Sequence, residues 1–189
     1  MTRKKTIDPD LVLDAAKSVV IETGVQRFTL EAVAKHAGIS KGGLLYIFPT
    51  KDQLILAMLD REVSRFGTEV LQNAKKHSED LHPTLLGYID TARSEDVSIA
   101  NKAANLMAAL IHAPAMLEPA RLFYFKMLGQ FDAPSSAGRR GRLAYLAVEG
   151  AFFLRALGLK EMTEKEWLEI LADAQEMYLE ARTLTKSPQ

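Results

Sequence analysis

Apolar side chains recur along this chain every three or four residues, which is the spacing of one face of an α-helix. No stretch alternates apolar and polar residues for long, and no Asn-Gly or Asp-Gly hairpin turn occurs. The first helix shows both of its boundaries, because Asp8 and Pro9 form a start signal and Gly24 forms a stop signal. The pattern therefore predicts an all-α protein of about nine helices.

Capping residues predict where the following helices begin and end. Thr29 opens a helix that ends near Gly38, and Ser40 opens a short helix that Pro49 stops. Further helices are expected over residues 51–76, 83–93, 97–113, 116–131, 142–157 and 164–184.

These elements predict two domains of unequal size. Residues 1–50 form a head of three short helices, and residues 51–189 form a larger helical body. Within the body, residues 132–141 (DAPSSAGRRG) have the composition of a loop. Residues 1–51 carry eight Lys and Arg against five Asp and Glu, although the whole chain has no net charge. A basic head on a mildly acidic body is typical of a protein whose first quarter contacts a polyanion.

Composition argues against several classes of protein. Cysteine is absent, which excludes a disulfide scaffold and thiolate metal sites. The four histidines lack metal-ligand spacing, and the chain has no nucleophile elbow, phosphate loop or dinucleotide fingerprint, so we expect no enzyme, metal or cofactor. The basic N-terminus leads into no apolar signal run, and no stretch approaches 18 consecutive apolar residues. We therefore expect a cytoplasmic protein without membrane contact.

The second and third short helices, joined by the residues HAGIS, have the arrangement of a helix-turn-helix. The second helix of such a pair enters the DNA major groove with its N-terminal end. Gly42 and Gly43 would each cost this helix about 1 kcal/mol relative to Ala, and they suit a close approach of backbone to DNA. Tyr46 shares a side with Lys41, and Lys51 stands at a helix start where a phosphate would offset its unfavourable charge. A core tyrosine and a solvated lysine are the ordinary alternatives.

The segment FTLEAVAKHAGISKGGLLYIFPTKDQL, residues 28–54, resembles the DNA-binding signature of the TetR family of bacterial transcriptional regulators. The positions that match at the family's spacing are Thr29, Ala34, Gly38, Ser40, Gly42, Leu44, Phe48, Lys51 and Leu54. The resemblance implies a homodimeric, ligand-controlled repressor with this head and a divergent helical body. By similarity, the DNA-contact positions are Thr29, Ser40, Lys41, Gly43, Tyr46 and Lys51. The tyrosine often found after the motif leucine stands one place later here, because Leu45 precedes Tyr46.

Glu149 is the one charged residue in a run of twelve, LAYLAVEGAFFL, with Tyr145 and Phe152 on its side of the helix. An unpaired buried carboxylate is costly, so its partner decides its role. Two interpretations remain open. Glu149 forms an ion pair with Arg121 or Arg155, or it faces an aromatic pocket and neutralises a cationic ligand.

Aromatic and Met side chains of residues 107–131 would complete such a pocket, although much of this stripe is expected to be core. The expected inducer is a small hydrophobic cation, such as a dye or a quaternary ammonium biocide, as in multidrug-efflux-type regulation. The predicted ligand-binding residues are Asn105, Met107, His112, Met116, Phe123, Tyr124, Met127, Tyr145, Glu149 and Phe152.

The last two helices are expected to form a four-helix bundle with their copies in a second subunit. One row of the first of them is centred on small residues, as close helix pairing requires, and comprises Leu143, Ala147, Gly150 and Leu154. The partner row on the last helix carries two aromatic anchors and comprises Trp167, Leu171, Ala174 and Tyr178.

The leading hypothesis is a ligand-responsive repressor that binds a pseudo-palindromic DNA operator as a homodimer. One alternative is a helical small-molecule-binding protein or enzyme that merely reuses the head. The other is a nucleoid-binding protein that answers to no ligand, which a thermal-shift ligand screen would distinguish.

Overall fold

The structure, a computed structural model, describes residues 7–24, 27–111, 113–131 and 135–185. Within these ranges it consists of α-helices, short 3₁₀ turns and loops, and it contains no β-strand. The expected all-α fold is therefore confirmed. The nine helices are α1 (Pro9–Thr23), α2 (Leu30–His36), α3 (Lys41–Ile47), α4 (Lys51–Ala74), α5 (Pro83–Ser94), α6 (Val97–Ala109), α7 (Glu118–Gly129), α8 (Ser136–Ala156) and α9 (Glu164–Thr185).

Side-chain caps fix the first helices where the sequence predicted them. Asp8 caps α1 by accepting a hydrogen bond from Asp10 N at 3.0 Å, and Gly24 ends it at a φ of 76°, which favours glycine. Thr29 and Ser40 cap α2 and α3 in the same way, each accepting from a backbone N–H three residues ahead at 3.1 Å. These hydrogen bonds satisfy helix N–H groups that otherwise have no partner.

The chain divides into two compact units, and the division falls within α4, α6 and α7. The first unit comprises Met1–Glu62 with Leu106–Ala120, and the second comprises Val63–Asn105 with Arg121–Gln189. In the first unit, α1, α2 and α3 pack together around a small apolar core. The side chains buried there include Val12, Ala16, Phe28, Val33, Leu44 and Leu54.

Ion pairs join α1 to the first half of α4 in this unit. Lys17 Nζ lies 2.6 Å from Glu62 Oε2, and Arg61 donates to Asp14 Oδ1 at 2.7 Å. All four residues belong to the first unit, so these pairs hold the first half of α4 against α1, which packs on α2 of the helix-turn-helix.

The second unit has the larger core, built from α5, α8, α9 and the second half of α4. Gly87 of α5 explains how closely α4 and α5 approach each other. A Cβ atom at Gly87 would lie 2.4 Å from the carbonyl oxygen of Val70 and 2.5 Å from the amide nitrogen of Ala74. Because both obstacles are backbone atoms, no side-chain rotation would relieve the clash.

The prediction of a loop over residues 132–141 is wrong for residues 136–141, because α8 begins at Ser136. Ser135 caps this helix by accepting from Gly138 N at 3.0 Å. Gly141 is buried, and a Cβ atom there would lie 2.8 Å from the ring of Phe131. Gly141, one of the glycines that suggested a loop, therefore allows a helix to pack against an aromatic ring.

Proline also shortens two of the expected helices. The helix expected over 97–113 ends at Ala109, and the next begins with a 3₁₀ turn, Pro114–Leu117, before α7. Proline fixes φ and removes an N–H donor, so it is favoured at a helix start and disfavoured inside a helix. α4 ends at Ala74, two residues earlier than expected and with no proline beside it, and a 3₁₀ turn, Lys75–His77, follows.

Candidate functional site

The outer face of α3 is the first candidate site. Leu44 is fully buried and holds the helix to the core, while Leu45 and Phe48 are half-buried. Tyr46 points the other way, with 87% of its surface exposed. This exposure excludes the core-tyrosine interpretation. A tyrosine ring of this kind is available to stack on a base or to donate to a phosphate.

The two glycines of α3 differ in their surroundings. A Cβ atom at Gly42 would meet no atom of the described chain within 4 Å, so nothing inside the described chain requires glycine there. A Cβ atom at Gly43 would lie 2.6 Å from the end of the Ile7 side chain and 3.2 Å from Ser40 Oγ. Gly43 therefore has a packing role of its own, and Gly42 is the position that leaves backbone open to the outside.

Both predicted cations are engaged within the head. Lys41 forms an ion pair with Glu31 of α2, with both side chains more than half exposed. Lys51 donates to the carbonyl oxygen of Phe28 at 2.8 Å, with its nitrogen 5.5 Å from the centre of the Phe28 ring. A lysine ammonium has three donors, so this bond leaves two for a phosphate. The side chain of Lys51 is thus held in place by Phe28, and nothing in the sequence indicated this contact.

Thr29 and Ser40 are exposed at the starts of α2 and α3. Each hydroxyl oxygen accepts a capping hydrogen bond, and a hydroxyl that accepts still has its own hydrogen to donate. Side-chain hydroxyls and helix N-termini are common phosphate contacts. The caps therefore serve the fold and leave a donor facing outward.

The second candidate site is the carboxylate of Glu149 in the second unit, 8% exposed and held by tyrosines. Tyr88 of α5 donates to its Oε1 at 2.6 Å, and Tyr124 of α7 donates to its Oε2 at 3.1 Å. Tyr145, one turn earlier on α8, is fully buried, and its hydroxyl has no hydrogen-bond partner among the described residues. Glu149 thus joins three helices through hydroxyl groups.

Edge-to-face aromatic contacts connect the tyrosines that hold this carboxylate to further rings. The ring of Phe66 lies 5.9 Å from that of Tyr88 and 5.7 Å from that of Phe123, while Tyr88 contacts Tyr145 at 5.0 Å. Phe123 also packs on Tyr124 at 5.8 Å. The tyrosines at this carboxylate therefore belong to a cluster of five aromatic rings.

The electrostatics of the group follow from its burial. Burial raises the pKa of Glu149 above its usual value, and the hydrogen bonds from Tyr88 and Tyr124, with the nearby Tyr145 hydroxyl, counteract part of the increase. The pKa values of the three tyrosines are also raised, first by burial and then by the Glu149 charge. All three hydroxyls therefore stay protonated and able to donate.

The ion pair considered for Glu149 is not formed in the described part of the chain. Arg155 pairs instead with Glu164 at 2.6 Å and lies over the ring of Trp167, and Arg121 is exposed. Tyr88, which is 61 residues from Glu149, was not among the predicted site residues. The sequence does contain an indication of this role, because Tyr88 lies in the apolar run LLGYI and a buried tyrosine hydroxyl needs a hydrogen-bond partner.

Only part of the predicted ligand-binding set gathers around Glu149. Phe123, Tyr124, Met127, Tyr145 and Phe152 belong to the same core cluster or pack against it.

The remaining members of this set do not join the cluster in the described structure. The Asn105 amide donates to backbone oxygens, at 2.8 Å to Asn101 and at 3.4 Å to Ala156. Met107 and Met116 lie in the first unit, and His112 lies outside the described residues.

Comparison with known proteins assigns both parts of the chain to one family. Residues 12–58 match the family described as bacterial regulatory proteins, tetR family. Residues 83–178, half of the chain, match the family described as tetracyclin repressor-like, C-terminal domain. The chain belongs to the TetR family. The resemblance seen in the sequence is thereby confirmed, and comparison with curated protein sequences gives no significant match.

Solved structures show the same TetR-family fold at low sequence identity. A transcriptional regulator from Rhodococcus sp. Rha1 is 21% identical, with a TM-score of 0.73 over 92% of this chain and 96% of that one. The multidrug binding protein EbrR, in complex with imidazole, is 20% identical, with a TM-score of 0.66 over 88% and 93%. A TetR transcription regulator from Haloarcula marismortui is 18% identical, with a TM-score of 0.68 over 93% and 96%.

TetR-family regulators bind DNA and small ligands and are in general not enzymes. Among the described residues, no helix has the length and apolar character needed to cross a bilayer. The same residues bring together no group of three side chains able to hold a metal ion.

The residues expected at a TetR-family subunit interface fall into two groups. Leu143, Ala147, Gly150 and Leu154 of α8 are exposed, as an interface requires.

The row expected on α9, namely Trp167, Leu171, Ala174 and Tyr178, is buried within its own chain, so this half of the prediction is wrong. Trp167 donates to the carbonyl oxygen of Ala92 at 3.3 Å, and the Tyr178 hydroxyl accepts from His82 N at 3.0 Å. Large aromatics at helical spacing thus serve the core of one subunit.

Proposed function

We propose that this TetR-family protein is a homodimeric, cytoplasmic transcriptional repressor of a pseudo-palindromic operator, released by a small hydrophobic cation. The outer face of α3 carries the proposal. It combines the exposed Tyr46, the open backbone of Gly42 and a capping hydroxyl at Ser40, and it has no evident role without a DNA partner.

In the proposed complex, α3 of each subunit enters a major groove. The two recognition helices lie about 34–36 Å apart, one turn of DNA, so that both half-sites face the same side of the duplex. Tyr46 contacts a base or its methyl group. Thr29, Ser40, Lys41 and Lys51 contact phosphates and fix the register of the protein on the duplex.

Two substitutions test the DNA-binding part. Tyr46→Ala should lower affinity for the operator more than affinity for random DNA. Lys51→Ala should weaken binding to both and reduce the slope of log K against log salt by about 1. Because Lys51 also holds Phe28, thermal unfolding of each variant must be measured as the control. Purified protein without any salt-sensitive DNA binding would refute the proposal.

The second subunit is proposed to cover the exposed apolar faces of α8 and α9. Leu143 is 56% exposed and Leu154 is 43% exposed, with Ala147 and Gly150 between them. On α9, the exposed Leu168 and Ala172 and the half-buried Leu179 replace the buried residues first expected there. Removing these side chains from water provides the driving force for association.

The inducer is proposed to be a cation because of Glu149. Its buried carboxylate has hydrogen bonds but no cationic partner in the described chain, and aromatic rings surround it. A ligand cation near a buried carboxylate favours its ionised form, and ring faces attract the same charge. EbrR, which shares the fold, has been solved with ethidium, an aromatic cation of this kind.

Induction follows from linkage between the two sites. A ligand that weakens DNA binding by some factor must itself be weakened by DNA by the same factor. The test is titration of the protein–operator complex with cationic dyes, neutral aromatics and aromatic acids. Cations should release DNA, and Glu149→Gln should abolish that release. Release by acids alone, or undiminished cation release from the variant, would refute the cationic inducer.

A further inference from the structure

The Glu149 site has hydrogen-bonding capacity that the protein leaves unused. A carboxylate can accept about four hydrogen bonds, and Tyr88 and Tyr124 occupy one position on each oxygen. The hydroxyl of Tyr145 is fully buried beside it and has no hydrogen-bond partner among the described residues. Two kinds of acceptor therefore remain open at one place, namely lone pairs of the carboxylate and the oxygen of the Tyr145 hydroxyl.

These unused groups distinguish between classes of cation. A quaternary ammonium ion supplies charge but has no N–H group, so it leaves the buried acceptors unpaired. A protonated amine or an amidinium group supplies the same charge together with two or more N–H donors. Leaving a buried polar group unsatisfied is expensive, so the difference affects affinity directly.

We propose that the Glu149 site selects cations that carry N–H donors, such as protonated primary amines and amidinium groups, over quaternary ammonium ions. This inference rests on the proposed function, because it names the ligand chemistry of the same site. One ligand N–H donates to Glu149, and a second donates to the hydroxyl oxygen of Tyr145. The aromatic rings enclose the apolar body of the ligand.

The two hydrogen bonds of Glu149 indicate the side from which a ligand reaches it. Tyr88 is buried and makes the shorter bond, at 2.6 Å. Tyr124 is half-buried and makes the longer bond, at 3.1 Å. The Tyr124 hydroxyl is therefore the one that yields its position on Oε2 to the ligand.

Calorimetric titration of the full chain with two probes of identical aromatic body tests the inference. The probes are 1-naphthylmethylammonium and (1-naphthylmethyl)trimethylammonium. An aromatic cage without hydrogen-bonding groups would favour the quaternary ion, whose dehydration costs less. We expect the primary ammonium to bind at least about tenfold more tightly, the effect of one buried hydrogen bond.

Substitutions then test which residues cause the preference for the primary ammonium probe. Tyr145→Phe removes a hydroxyl that has no partner, so it should leave folding intact and reduce the preference severalfold. Tyr178→Phe is the matched control, because it removes a buried hydroxyl that is bonded to His82 in the same unit and should leave the preference unchanged. Glu149→Gln should weaken both probes.

Three outcomes would overturn the inference. Equal or tighter binding of the quaternary probe would refute it while leaving a cationic inducer intact. An unchanged preference in Tyr145→Phe would refute the role of that hydroxyl. Failure of both probes to bind would refute the cationic inducer and this inference together.

Discussion

At the scale of single residues, Glu149 is a carboxyl group whose ionisation the fold opposes by burial. Burial raises its pKa, so the folded state holds the proton more tightly than the unfolded state does. The cost of burying the Glu149 charge is absent at low pH, where the carboxyl group is protonated in both the folded and the unfolded state. It grows as pH rises from the usual carboxyl value through the raised folded value.

Glu149→Gln should remove this pH dependence. The stability of the variant relative to the native chain should increase as pH rises from about 4 to 8, measured by urea unfolding at several pH values. Glu166→Gln is a control of opposite sign, because hydrogen bonds from Thr163 and Lys160 lower the pKa of Glu166 to about 2. The stability that native Glu166 contributes is complete above the usual carboxyl pKa, and it is lost as pH falls from there through about 2. If the difference in unfolding free energy between Glu149→Gln and the native chain did not change with pH, a raised pKa of Glu149 would be contradicted.

At the scale of helix pairs, the contact between α4 and α5 depends on the absent side chain of Gly87. Gly87→Ala should destabilise the second unit by about 3 kcal/mol, since the added carbon meets backbone that cannot rotate away. Gly129→Ala, where the added carbon meets no described atom within 4 Å, should change stability by less than about 1 kcal/mol. Thermal or urea unfolding measures both, and equal effects would contradict this account of the packing.

The pair of α2 and α3 contains a charge that competes with DNA. Lys41 is paired with Glu31, so in the proposed complex this lysine must exchange a carboxylate for a phosphate. Glu31→Gln should therefore strengthen binding to random DNA severalfold and steepen its salt dependence by about one ion.

Two control variants separate this effect from net charge. Glu22→Gln removes the same charge from an exposed position at the end of α1 and should have a smaller effect. In a Lys41→Met background, the effect of Glu31→Gln should largely disappear, because the two residues act as a pair. Fluorescence anisotropy over a range of salt concentrations gives the affinities of the native chain and of the four variants. A full effect of Glu31→Gln without Lys41 would show that the ion pair is not the cause.

At the scale of the whole molecule, operator binding is expected to require two subunits. Ala147→Glu places a charge on the exposed row of α8, where the monomer surface tolerates it and a paired helix would not. Sedimentation should show a monomer, and operator affinity should fall by about a hundredfold or more because one half-site is lost.

Leu122→Glu is the matched control for this experiment. It places the same charge on α7, at a leucine that is 51% exposed and lies outside the proposed interface. It should leave the dimer and its operator affinity unchanged. If Ala147→Glu remained dimeric, the proposed interface would be wrong, whatever the DNA-binding result.

The sequence by itself determined the features that depend on neighbours along the chain. Caps such as Thr29 and Ser40, the stop at Gly24 and the helical period of the apolar residues all act over a few positions. They fixed the all-α fold and the helix-turn-helix. The family motif likewise occupies one continuous segment, so it needed no tertiary information.

Tertiary structure decided the features that depend on residues far apart. Tyr88 and Glu149 are 61 positions apart, and Gly141 leaves room for the ring of Phe131, which comes from another helix end. Trp167 was expected at a subunit interface but is buried within its own chain. Helical spacing shows that a residue lies on an apolar face, but it does not show which surface covers that face. The periodicity of apolar residues predicts which side chains are buried, and only the tertiary structure shows which residues pack against them.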